Sequence, residues 1–253
     1  MIHSFLLIGQ SNMAGRGYIK EAVPVNSENI KVLRNGRWQP MYRPVNCDRA
    51  FSGVSLAESF AEKYAEEHSV TVGLRPCADG GTSLDHWAEG EALFENAVYM
   101  SKLAMRSSTI AGVLWHQGES DCKEGLWQQY EEKAKNIFLR LREILNLQDV
   151  PFIIGGLGDY LSIRGEELNE PLYFNYRYVN EALQRLAKND KMIGFASAEG
   201  LTANADNLHF NSASLYEFGL LYDEVFKTLE NKSKVFTEKG NNHDVAFSKI
   251  EKL

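Results

Sequence analysis

Phe5-Leu6-Leu7-Ile8-Gly9-Gln10-Ser11-Asn12-Met13-Ala14-Gly15 is the stretch on which the fold turns. Phe5–Ile8 is an unbroken apolar run, the pattern of a strand covered on both faces as in a parallel sheet. A glycine and polar residues then end the run and lead into a short helical pattern, so strand passes to helix through a tight turn. Further runs at Val70–Arg75, Gly112–His116, Phe152–Gly156 and Met192–Ala196 join Ser4–Ile8 as expected strands. Helix-period stretches lie between them: Ser55–Glu67, about Glu91–Met105, Leu126–Leu145, Asn175–Ala187 and Ser212–Leu229. In Leu126–Leu145 the residues Leu126, Tyr130, Ala134, Ile137, Leu141 and Leu145 recur every three or four positions and form one apolar stripe. The alternation predicts an α/β fold, a three-layer α/β/α sandwich around a five-stranded parallel sheet.

Two stretches depart from this rhythm. Lys31-Val32-Leu33, Asn35-Gly36 and Trp38 read as a hairpin, because Asn-Gly between apolar runs favours a type I′ turn; it is expected to be an insertion. Leu157–Asn175, with Asp159, Tyr160, Arg164, Pro171, Tyr173 and Phe174, reads either as a lid facing the site or as a plain connection. Without repeat or linker, residues 1–230 are expected to form one domain and residues 231–253 a polar C-terminal arm.

Composition narrows the function classes. A chain of 253 residues with 44% hydrophobic residues can bury a full core. Its 27 basic against 34 acidic residues give −7, and no Lys/Arg block supplies the footprint that a phosphate backbone needs, which argues against nucleic acid. The apolar runs are strand-length, so no membrane helix is expected. Met1-Ile2-His3-Ser4 shows no export signal, and Cys47, Cys77 and Cys122 form no close pair. Free thiols in a reducing, cytoplasmic compartment are the expectation.

In an open parallel sheet, ligands bind beyond the carboxyl ends of the strands. The loops there are Gly9-Gln10-Ser11-Asn12, Ala78-Asp79-Gly80-Gly81-Thr82-Ser83, His116-Gln117-Gly118-Glu119-Ser120-Asp121 and Asp206-Asn207-Leu208-His209. Acyl transfer needs a hydroxyl nucleophile, an imidazole, a carboxylate to set its tautomer, and donors for the oxyanion. Ser11, His209 and Asp206 supply the first three, and a spacing of three lets one turn bring Asp206 to the His209 ring. The candidate oxyanion donors are the backbone N–H of Ser11, the backbone N–H of Gly80 and the side-chain amide of Gln117.

Together, Gly9-Gln10-Ser11-Asn12-Met13, Ala78-x-Gly80-Gly81-Thr82-Ser83-Leu84-x-x-Trp87, Trp115-His116-Gln117-Gly118-Glu119-Ser120-Asp121 and Asp206-x-x-His209-Phe210 resemble the SGNH-hydrolase superfamily, and within it the sialate O-acetylesterase and acetylxylan esterase branch. The resemblance spans Ser4 to about Leu229. It implies a flavodoxin-like sheet and cofactor-free hydrolysis of acetyl esters on a sugar or oligosaccharide, with Ser11, Asp206 and His209 as triad and Gly80 and Gln117 in the oxyanion hole. Gln10 stands where an Asp commonly precedes the nucleophile in the wider superfamily, and Gln117 where Asn is usual; both fit the carbohydrate-esterase branch.

Plainer readings stand beside these. Ser11 could cap a helix, and His209, between Leu208 and Phe210, could be a half-buried structural histidine. Gln10, Asn12, Arg16, His116 and Glu119 are candidates to support the reacting groups or touch substrate. His116 either orients Gln117 or substrate or is a buried structural imidazole, and Arg16 either meets a sugar carboxylate or pairs with an acidic neighbour. Glu119 and Asp121 offer too few oxygens for a hard metal and no pair across a sugar, so no metal is expected. Trp38, Trp87 and Trp127 are either sugar platforms or core. The absence of Gly-x-Ser-x-Gly and of a phosphate loop disfavours an ordinary α/β-hydrolase or a nucleotide enzyme. The rivals are a lipase or thioesterase of the same fold, and a carbohydrate-binding protein without turnover.

Overall fold

The computed structural model describes residues 1–230; the polar arm expected over residues 231–253 lies outside them. β1 (Ile2–Gly9) runs up the middle of a single sheet, with β4 (Thr71–Pro76) on one side and β5 (Thr109–His116) on the other, both parallel to it. β6 (Phe152–Gly155) and β7 (Ile193–Ala196) continue the parallel order beyond β5. Phe5 shows why one face of the centre is apolar: its ring meets Phe60, Tyr64 and Phe226 edge-on at 4.8, 4.8 and 5.7 Å, contacts worth about 0.5–1.5 kcal/mol per pair beyond burial.

The sheet has seven strands, in the order β3-β2-β4-β1-β5-β6-β7, rather than five. The difference is the hairpin. β2 (Ile30–Arg34) and β3 (Arg37–Pro40) pair antiparallel around Asn35 and Gly36, both at positive φ as a type I′ turn requires. β2 also pairs parallel with β4, Ile30 facing Val72 and Val32 facing Leu74. Ile30 and Val32 bury in the core instead of standing apart as an insertion.

α2 (Ala57–His68) and α7 (Ser212–Glu230) pack together on one side, where Gly219 admits Leu56 and Ser59 so closely that a Cβ would collide with both. α3 (Ala92–Ala104), α4 (Tyr130–Leu145) and α6 (Tyr176–Asn189) pack in sequence with one another. α4 begins four residues later than its stripe suggests, because Trp127–Gln129 forms a separate 3₁₀ turn. Leu157–Asn175 is neither open lid nor bare connection: it contains α5 (Tyr160–Leu168), whose Tyr160 and Leu161 are buried, followed by a 3₁₀ turn at Pro171–Asn175. No helix among the described residues is long and apolar enough to cross a membrane.

Trp87 is fully buried against Trp115, Trp38 covers Gly73 and donates to Ser107, and Trp127 stacks on Tyr178. The tryptophans take up packing roles.

Candidate active site

β4, β1 and β5 are neighbours, so the loops after them converge at one sheet end, the place where an α/β sheet offers a crevice. Gly9 ends β1 at φ +127°, and a Cβ there would lie 2.0 Å from the His116 carbonyl oxygen, so only glycine fits between β1 and β5. That turn delivers Ser11 to the start of α1 (Ser11–Ala14). The first N–H groups of a helix have no partner within it.

The loop after β7 returns to the same place. His209 Nε2 lies 3.0 Å from Ser11 Oγ, and Nδ1 lies 2.6 Å from Asp206 Oδ2. Since the carboxylate can only accept, Nδ1 carries the proton and Nε2 faces Ser11 with its lone pair. Asp206 Oδ1 also accepts the N–H groups of Leu208 and His209, each at 3.0 Å. Burial alone would raise the Asp206 carboxyl, but these hydrogen bonds and the neighbouring imidazole bring it down to about 2. An oriented imidazole between a hydroxyl and an ionised carboxylate can take the hydroxyl proton.

Asn12 ties the loop down. Its Nδ2 donates to the Leu208 carbonyl at 3.2 Å and to Glu119 Oε1 at 2.5 Å, and its Oδ1 accepts the Phe210 N–H at 3.1 Å. Gln10 serves the opposite side: its Oε1 accepts the N–H groups of Gly118 and Ser120, both at 3.3 Å. His116 takes the structural alternative. Its Nε2 donates to the Gly156 carbonyl at 3.1 Å, its ring stands edge-on to Phe210 and Phe218, and burial lowers its pKa and keeps it neutral.

The oxyanion candidates fare unequally. Gln117 is fully buried, and its Nε2 donates to the Thr82 carbonyl at 3.0 Å and to Asp121, with Gln10 Oε1 at 3.3 Å. Its amide hydrogens are therefore spent on joining three loops, which corrects its expected availability to an oxyanion. The Gly80 peptide borders the nucleophile, since a Cβ on it would stand 3.4 Å from Ser11 Cβ, but its N–H donates to Asp48 Oδ2 at 2.9 Å, which also corrects its expected availability.

Arg16 meets an acidic neighbour, Asp48, which nothing in the four loops announces. Nη2 and Nη1 of Arg16 lie 2.6 and 3.1 Å from the Asp48 oxygens, and the pair is almost wholly buried. Burial pulls the Asp48 carboxyl up, yet the hydrogen bonds from Arg16 and Ser52 and the Arg16 charge hold it below the usual range. Asp48 also lines a cleft of about 560 Å³, together with Arg34, Asn46, Arg49, Asp79 and Asn96. Among the described residues no group of three or more His, Cys, Asp or Glu is placed to hold a metal.

Known proteins share this arrangement of chain. A probable carbohydrate esterase of Arabidopsis thaliana is 29% identical over 249 residues, covering 88% of this chain and 89% of its own. The crystal structure of that plant protein superimposes with a TM-score of 0.78 at 27% identity, over 89% of this chain and 98% of the other. NanS (TM-score 0.67, 16% identity, 91% and 97% covered) and a carbohydrate acetylesterase from Xanthomonas citri (0.61, 14%, 89% and 57%) share the fold. Residues 1–228 match the family described as carbohydrate esterase, sialic acid-specific acetylesterase. That match takes in every strand and all four loops, so this chain belongs to the carbohydrate esterases and is a carboxylic ester hydrolase.

Proposed function

We propose that this esterase removes O-acetyl groups from a sugar or oligosaccharide through an acetyl-enzyme on Ser11. The observation that carries the reading is the line Asp206 Oδ2, His209 and Ser11 Oγ, with gaps of 2.6 and 3.0 Å. His209 Nε2 takes the Ser11 proton as Oγ attacks the acetyl carbonyl; Asp206 stabilises the imidazolium without taking a proton. The oxyanion is met by the N–H of Ser11, and by that of Gly80 once it is released from Asp48, to which it donates at 2.9 Å; Gln117 braces the loops. The imidazolium then protonates the sugar oxygen, the alcohol leaves, and water attacks the acetyl-enzyme with His209 again as base.

The family match over residues 1–228 favours the acetylated carbohydrate over the lipase or thioesterase reading. The test is hydrolysis of a chromogenic acetate and stoichiometric labelling by a fluorophosphonate, in wild type and Ser11→Ala. Both should vanish in the variant; retained turnover would remove Ser11 as nucleophile.

A further inference from the structure

The Gly80 peptide is gripped from both sides. Its N–H donates to Asp48 Oδ2 at 2.9 Å, and its carbonyl accepts from Arg49 Nη2 at 2.9 Å. Asp48 is itself fixed by Arg16, by Ser52 Oγ at 2.8 Å on Oδ1 and by Asn46 Nδ2 at 3.3 Å. The N–H of the glycine that borders Ser11 is thus spent on a carboxylate. An N–H pointed at Asp48 does not serve an oxyanion, and one missing donor commonly costs a hundredfold or more in rate.

We propose that Asp48 is a specificity-determining residue: a free hydroxyl next to the acetylated oxygen donates to Asp48 Oδ2, displaces the Gly80 N–H, and so frees that donor for the acetyl oxyanion. The inference rests on the reading of Ser11 as nucleophile and Gly80 as oxyanion donor. The exchange conserves hydrogen bonds. Asp48 trades one donor for another, the Gly80 N–H trades one acceptor for another, and no proton changes owner. A hydroxyl on the adjacent ring carbon sits beside the ester oxygen at about hydrogen-bonding distance, and the acetyl carbonyl lies one bond further on, so one substrate spans the short step from Asp48 Oδ2 to the Gly80 N–H. Arg16 keeps the Asp48 charge compensated while negative charge grows nearby. The substrate class that follows is the acetyl ester with a vicinal free hydroxyl.

The experiment compares a panel of mono-O-acetylated methyl glycosides, neutral and carboxylated, with their deoxy partners, in which the hydroxyl beside the ester is replaced by hydrogen. Wild type should favour the best hydroxylated ester over its deoxy partner by about a hundredfold in kcat/KM, the size of one oxyanion donor. Asp48→Ala should shrink that ratio at least about tenfold, with the deoxy ester hydrolysed faster than by wild type. Ser52→Ala keeps the Arg16 pair and only loosens Asp48, so it should shift the ratio the same way by less, and it decides the matter should Asp48→Ala not fold. No hydroxyl preference in wild type, or equal slowing of both esters in the variants, would overturn the proposal. Turnover of either ester by Ser11→Ala would instead overturn the nucleophile reading beneath it.

Discussion

Asn12 brackets His209 without touching its ring, accepting the Phe210 N–H at 3.1 Å and donating to the Leu208 carbonyl at 3.2 Å. The residue after the nucleophile thus sets the position of the residue proposed as its base. Asn12→Ala should lower kcat at least about tenfold with little change in KM, since small displacements of a reacting group cost up to about a hundredfold. Unpaired groups at Phe210 and Glu119 should also destabilise the fold by about 1–3 kcal/mol. Asn12→Asp should melt lower than Asn12→Ala, because it would set a carboxylate where Glu119 now accepts at 2.5 Å. Melting curves ranking the two the other way would mean that Asn12 and Glu119 are not coupled as drawn.

Asp206→Asn tests the imidazole's tautomer. The Leu208 and His209 N–H groups can still be met by an amide oxygen, so the turn should fold as before. What is lost is the charged acceptor that keeps the proton on Nδ1, and kcat should fall by about a thousandfold or more. Steady-state kinetics beside a circular-dichroism melt separates the two effects; an unchanged kcat with an intact fold would detach Asp206 from the proton transfer. With its carboxyl held down at about 2, Asp206 stays ionised through mild acid. Any activity lost between pH 7 and pH 4 therefore belongs to other groups.

Asp121 makes stability fall as pH rises. Burial pushes its carboxyl up to about 6 against the opposing hydrogen bonds from Gln117 and Leu84, while the unfolded chain titrates near 3.8. Between those values the folded state holds a proton that the unfolded state has released. Stability is thus lost progressively from about pH 4 to about pH 6 and levels off above, by on the order of 2–3 kcal/mol for this group. Urea unfolding of wild type and Asp121→Asn at pH 4 and pH 7 should show a smaller pH decrement in the variant. Identical decrements would assign the effect elsewhere.

The central sheet and its rim were legible because both are written locally. Phe5–Ile8 has one apolar character throughout, Gly9 punctuates it, and the residues that follow are of reactive type, so strand, turn and chemistry stand next to one another. Partners joined only by tertiary pairing left no such trace. Ile30 and Val32 belong to the sheet because they pair with β4 some forty residues later, which the Asn35-Gly36 turn does not reveal. Asp48 sits in a stretch without periodicity or glycine-rich motif, and only the fold brings it to Arg16 and Gly80. Gln117 was legible in place and not in direction: which way its amide points depends on Thr82 in the loop after β4 as well as on Asp121 in its own loop.

Arg75 is the residue whose removal should strengthen the protein. It lies in β4 with no exposed surface, and none of its three guanidinium nitrogens has a hydrogen-bond partner among the described residues. Burial lowers its pKa to about 10, still high enough to leave it charged at neutral pH. A buried, unpaired charge is costly, whereas an unbranched apolar side chain of similar length keeps the packing of the alkyl stem. Arg75→Met should therefore gain about 1–4 kcal/mol, the range seen when buried ionic groups give way to apolar ones. At this chain length each kcal/mol raises Tm by about 2–4 °C. Arg75→Gln, neutral but still polar, should gain less than Arg75→Met. A lower Tm in Arg75→Met would show that the guanidinium is satisfied by a partner beyond the described residues or by solvent.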